Sequence, residues 1–110
     1  PLVNYGTGIT STTLDLGKDS RAKLSVTGND VSIFIDDASL SSEYSYTMVI
    51  DIIGNGASNS LIWDPSLSSD NWVDGDVLGV ASITSTYTVS INTNGDSYED
   101  IMINYVKKGT

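Results

Sequence analysis

The sequence predicts an all-β fold: a single antiparallel β-sandwich or jelly-roll-like domain of seven to eight strands. Three observations carry this. Apolar and polar residues alternate with period two in successive segments, clusters of Gly, Asn, Asp and Ser interrupt them roughly every ten residues, and apolar residues nowhere recur at helical spacing over three turns. At 110 residues the chain is long enough for one core and too short for two.

Taken in order, residues 1–8 form an N-terminal arm and 9–110 the sandwich. The arm carries the apolar residues Leu2 and Val3, then Tyr5, then a Gly-x-Gly hinge at Gly6 and Gly8. A segment with such anchors is suited to add itself as a strand to the sheet edge of a neighbouring copy, contributing main-chain hydrogen bonds and side chains in pockets; a first strand of its own sheet is the alternative. From Ile9 to Leu16 the chain is rich in Thr and Ser with Leu14 and Leu16 on one face, a strand closed by Gly17. Ala22, Leu24 and Val26 alternate with Lys23, Ser25 and Thr27, and Val31, Ile33 and Ile35 with Ser32 and Phe34. The intervening Thr27-Gly28-Asn29-Asp30 reads as a hairpin turn.

Tyr44 to Ile53 is the clearest element, with Tyr44, Tyr46, Met48, Ile50 and Ile52 on one face, and Gly54-Asn55-Gly56 ends it. Leu61 to Trp63 and Val77 to Ile83 are shorter apolar runs flanking an irregular loop. Last comes the strongest hairpin signal: Tyr87, Val89 and Ile91 on one arm, Ile101, Ile103 and Tyr105 on the other, with Thr93-Asn94-Gly95-Asp96-Ser97 between.

Composition narrows the function. The chain has no His and no Cys, so it lacks the usual general base at neutral pH, the thiol nucleophile, the commonest transition-metal ligands and any disulfide. A glycosidase needs only two carboxylates, but its acid needs an enclosed apolar setting beside a substrate groove, which a domain of this size seldom supplies. No enzymatic activity is expected. Fourteen acids against five bases give a net charge of -9, which disfavours nucleic acid and anionic membrane surfaces. All five bases lie near the ends (Lys18, Arg21, Lys23, Lys107, Lys108). No apolar run is long enough to span a membrane. Abundant Ser and Thr and few charges fit a secreted or cell-surface protein, and a first residue that is not Met implies either that a leader has been removed or that the sequence is an excised domain.

Two ligand sites suggest themselves. Asp70-Asn71-Trp72-Val73-Asp74-Gly75-Asp76 offers three carboxylates and an amide in a short loop, a candidate calcium site through Asp70, Asn71, Asp74 and Asp76, although it lacks the spacing of an EF-hand. An Asp/Gly-rich surface turn is the alternative. Trp63 continues the Leu61-Ile62 run and is expected in the core, whereas Trp72, set among Asp and Asn, is the candidate exposed platform for a sugar ring.

Leu14-Asp15-Leu16-Gly17 after a Thr/Ser-rich entry, followed by short strands and then Leu40-Ser41-Ser42-Glu43-Tyr44-Ser45-Tyr46-Thr47 running into Ile53-Gly54-Asn55-Gly56, resembles the layout of the TasA/camelysin-like secreted β-sandwich proteins and the related archaeal bundling-pilus subunits. The resemblance implies a jelly-roll-like fold, no catalysis, and polymerisation in which Leu2, Val3 and Tyr5 insert into a neighbour. Three functions are therefore expected, in this order: a self-assembling extracellular filament or surface subunit, homo-oligomeric or polymeric; a polysaccharide-binding or calcium-dependent adhesive module; and a viral capsid or fibre domain.

Overall fold

The computed structural model describes residues 2–7 (as backbone), 10–17, 20–26, 30–38, 40–54, 59–81 and 85–109. Nine strands are present among them: β1 (Leu2–Thr7), β2 (Ser11–Asp15), β3 (Arg21–Val26), β4 (Val31–Asp36), β5 (Ser45–Gly54), β6 (Asn59–Trp63), β7 (Val80–Ala81), β8 (Thr86–Asn94) and β9 (Ile101–Lys108). They form two sheets, one of five strands in the order β1-β3-β5-β8-β9 and one of four in the order β2-β4-β6-β7.

The period-two pattern becomes burial directly. Ala22, Leu24 and Val26 of β3, Val31, Ile33 and Ile35 of β4, Met48, Ile50 and Ile52 of β5, and Tyr87, Val89 and Ile91 of β8 all turn inward, while their alternating neighbours face outward. The ladders align these positions into rows: Ala22 lies beside Ile50, Ile50 beside Val89, and Val89 beside Tyr105, and a second row runs Met48, Ile91, Ile103. Burying such a row stabilises the fold by about 1.5–3 kcal/mol for each large aliphatic side chain.

The connectivity departs from the expected antiparallel sandwich. Up to β6 each strand is followed by one in the opposite sheet, and the pairs β1/β3, β3/β5, β2/β4 and β4/β6 are all parallel. The chain from β1 to β6 is thus wound as a two-layered coil, in which every connection crosses between layers and the chain returns to a sheet running in the same direction. Only β5/β8, β8/β9 and β6/β7 are antiparallel. A jelly roll is antiparallel throughout, so this coil is a different architecture.

The turn at residues 27–30 is accordingly no hairpin: β3 and β4 lie in different sheets, and Thr27, Gly28 and Asn29 fall outside the described residues. The hairpin of β8 and β9 forms as its sequence indicates, with Thr93 beside Ile101 and Gly95 in the turn at φ 136°. There a glycine suits the backbone, since a Cβ at that φ is strained.

Candidate functional site

Three regions bear on function: the N-terminal strand, the segment between β6 and β7, and the acidic end of the coil.

Leu2–Thr7 lies as β1 at the edge of the five-stranded sheet, parallel to β3 of its own chain. Leu2 stands beside Arg21, Val3 beside Ala22, Asn4 beside Lys23 and Thr7 beside Ser25, with an irregularity between Asn4 and Thr7. Leu2, Val3, Tyr5 and Gly6 therefore occupy an edge strand with a single partner, and Gly8 of the proposed hinge lies outside the described residues.

The segment between β6 and β7 is fastened residue by residue. Buried Asp64 accepts from Ile35 N at 3.0 Å and from Ser66 N at 2.9 Å, tying the end of β6 to β4. Ser68 caps a 3₁₀ turn over Ser69–Asn71, its hydroxyl accepting from Asp70 N while Asn71 Oδ1 accepts from Ser68 N at 2.8 Å. The Asn71 amide nitrogen then donates to Tyr98 O at 2.8 Å and Ile101 O at 2.9 Å, which clamps the turn to the start of β9. Trp72 makes a parallel bridge to Ile103, so the chain runs along the outer edge of β9.

This geometry overturns the exposed-platform reading of Trp72. Its side chain is only 4% exposed, with its ring edge-on to Trp63 at 5.0 Å and to Tyr105 at 6.1 Å. Trp63 is half-buried against the same cluster and donates its indole N–H to Leu78 O at 2.8 Å. Polar neighbours in the sequence concealed a residue that plugs the end of the core. A stacking surface for sugar would need an open ring face, and Trp72 has none.

The four candidate calcium ligands do not converge. Asp70 and Asn71 line a cavity of about 520 Å³ with Ser66, Ser68 and Glu99, whereas Asp74 and Asp76 line another of about 220 Å³ with Val73, Asn104 and Tyr105. Asn71 spends its oxygen on Ser68 and its nitrogen on two carbonyls, and Asp76 bonds the Tyr105 hydroxyl. Burial, the charge and hydrogen bond of Asp76, and then Tyr87 hold the Tyr105 phenol above its usual pKa. Asp74 takes a left-handed φ of 63° before Gly75 at 70°. No group of three or more acidic side chains suited to a metal is found among the described residues.

At the acidic end, the Tyr98 hydroxyl donates to Ile35 O at 2.7 Å. Burial and the nearby carboxylates of Asp64, Asp37 and Asp36 raise its pKa. Of the five bases, Arg21 forms an ion pair with Asp51, whose other oxygen accepts from Thr88 Oγ1 at 3.0 Å. Sequence reasoning missed the roles of Asn71 and Asp64. The Ser-x-x-Asn spacing of Ser68 and Asn71 was the one available sign, as a variant of the capping box.

No family model, curated protein or solved structure matches this chain.

Proposed function

We propose that this chain is a non-catalytic structural subunit, secreted or displayed at a surface, that is built into a filament or fibre by pairing its N-terminal strand with a neighbouring copy. One observation carries the reading: the segment singled out as an arm is an edge strand held by a single partner, β3, so one side of its backbone faces away from its own sheet. A wound, two-layered coil supports it further, because such coils extend by stacking strand on strand. The absence of His and Cys from the sequence, and the use of buried Asp64 and Asn71 as structural fasteners, favour a building role over chemistry. A pilus-type subunit and a viral fibre domain both fit this description. The buried position of Trp72 removes the main support for a polysaccharide-binding module.

The reading is tested by deleting residues 1–8 and comparing the full and shortened chains by sedimentation velocity and electron microscopy, with and without calcium. The full chain is expected to assemble, and the shortened chain to remain folded by circular dichroism and unassembled. The same assembly formed without residues 1–8 rules the reading out.

A further inference from the structure

Each sheet packs one face on the core and turns the other outward, and the two outward faces differ in chemistry. On the four-stranded sheet three large apolar side chains are exposed: Phe34 of β4, Ile62 of β6 and Val80 of β7. The ladders make them neighbours. Ile62 stands beside Ser32, two residues before Phe34, and Val80 stands beside Ser60, two residues before Ile62. They run diagonally across three strands, at a spacing over which long side chains still reach one another, and so form a patch rather than scattered single exposures. On the same face Asp15 of β2 stands directly beside Asp36 of β4, a like-charge pair that destabilises a ladder. No base shares this face among the described residues.

The five-stranded sheet carries the opposite set. Three of the chain's five bases, Arg21 and Lys23 of β3 and Lys108 of β9, alternate outward on it, against one acid among the described residues, Asp51. That acid is already engaged by Arg21 and by the Thr88 hydroxyl. The register places Lys23, Asp51, Thr88 and Val106 in one row and Ile53, Thr86 and Lys108 in the next, so exposed Val106 and half-buried Ile53 lie among the bases. An excess of base on one face is notable in a chain of net charge -9.

We infer that the outer face of the four-stranded sheet is a docking surface for the outer face of the five-stranded sheet of a second copy, so that molecules stack sheet on sheet. Charge complementarity identifies the occupant. Most of the surface of so acidic a chain repels another copy, but the five-stranded face offers bases to the Asp15–Asp36 pair and apolar side chains to the line of Phe34, Ile62 and Val80. Sheets packed face to face lie about 10 Å apart, close enough to enclose both sets. Because the two faces differ, the contact is heterologous: every copy that docks leaves one face of each kind free, and growth is open-ended. The inference goes beyond the pairing proposed for residues 1–8, adding a second contact at another surface. Four strands about 4.8 Å apart and five residues long cover roughly 300 Å² a side, small for a lasting pair, so the contact draws its strength from repetition.

A chain without cysteine allows a direct test. Ile62→Cys and Thr88→Cys each place one thiol at an exposed position, the first on the four-stranded face and the second on the five-stranded face. The two full-length variants, checked for folding by circular dichroism, are mixed in equal amounts and treated with a bismaleimide that spans about 10 Å. Intact mass spectrometry then distinguishes mixed from like pairs. Mixed pairs are expected to exceed either like pair at least tenfold, and Lys23→Glu in the Thr88→Cys chain is expected to cut them at least fivefold. Like pairs in excess overturn the inference by making the contact two-fold. Mixed and like pairs in the two-to-one ratio of random collision overturn it as well, as do mixed pairs that withstand Lys23→Glu. Should the cross-links be random while the wild-type chain still assembles and loses assembly on deletion of residues 1–8, the stacking fails and the strand-pairing reading stands. A wild-type chain that neither cross-links in this way nor assembles removes both.

Discussion

Asn71→Ala tests whether the segment that closes the β9 edge is a structural fastener. The Asn71 side chain is 7% exposed and makes three hydrogen bonds, accepting from Ser68 N at 2.8 Å and donating to Tyr98 O at 2.8 Å and Ile101 O at 2.9 Å. Each such bond contributes about 1 kcal/mol net, and the carbonyls left behind add desolvation penalties, so truncation is expected to destabilise by roughly 3–4 kcal/mol. That is a large share of the ~5–15 kcal/mol that holds a domain of this size together. Urea denaturation followed by Trp fluorescence reads the effect; with a slope of about 2 kcal/mol/M, the midpoint should fall by roughly 1.5–2 M at unchanged slope. Asn71→Asp sharpens the test. A carboxylate still accepts from Ser68 N but turns negative charge on two carbonyl oxygens, so at neutral pH it should be at least as damaging as alanine. A midpoint shift below about 0.5 M for Asn71→Ala, equivalent to ~1 kcal/mol, would show that the clamp is incidental and that Trp72 alone holds the segment.

Gly95→Ala is expected to destabilise by about 1–2 kcal/mol, because φ is 136° and the new Cβ would stand 2.8 Å from Asp100 Oδ2; adding Asp100→Ala should restore only the contact part, and full recovery in thermal melts would refute the backbone explanation. Since the raised pKa of Tyr98 comes from burial first and then from Asp64, Asp37 and Asp36, its contribution is fully present below the unfolded phenol pKa of about 10 and is lost as pH rises through the higher folded value. Tyr98→Phe should therefore cost about 1 kcal/mol near neutrality through the lost bond to Ile35 O, and should flatten the alkaline fall in stability; an unchanged alkaline slope counts against the assignment. Arg21→Ala removes an ion pair whose side chains are 51% and 22% exposed, so the loss should stay below about 1 kcal/mol and shrink in high salt, as urea titrations at two ionic strengths will show.

What the sequence made legible is what side-chain periodicity encodes. Alternation states which residues share a face, and for Tyr44 to Ile53 and for the β8–β9 hairpin it located strands and inward residues to within a residue or two. It does not state which strand lies alongside. Thr27-Gly28-Asn29-Asp30 carries turn residues, and these serve equally for a reversal within one sheet and for a crossing between two. The coil was hidden for that reason, since β3 and β4 look the same in sequence whether paired or stacked. Trp72 was misplaced by its company: Asp70, Asn71 and Asp74 suggested a solvated loop, but Asn71 faces inward because three main-chain groups satisfy its amide. Sequence distance hid the partners of Asp64 and Asn71, which lie about thirty residues away.

The same side chains that stabilise the domain also determine which of its edges remain available. Had the chain stopped winding after β6 with nothing laid along its last strands, both ends of the coil would present bare strand edges and growth from either would be open-ended. Reversal into β7, β8 and β9 turns the last ladders antiparallel, and the Ser68–Asn71 turn, with Trp72 wedged between Trp63 and Tyr105, covers the edge that remains. Hydrophobic burial and edge closure are thus performed by one segment, and loosening it should act on both. Asn71→Ala weakens the fold and uncovers an edge that is shut, so it should promote irregular association as well as lower the urea midpoint; light scattering at matched concentrations of folded protein reads the first effect, and a variant that is destabilised yet scatters no more than wild type would separate burial from edge closure.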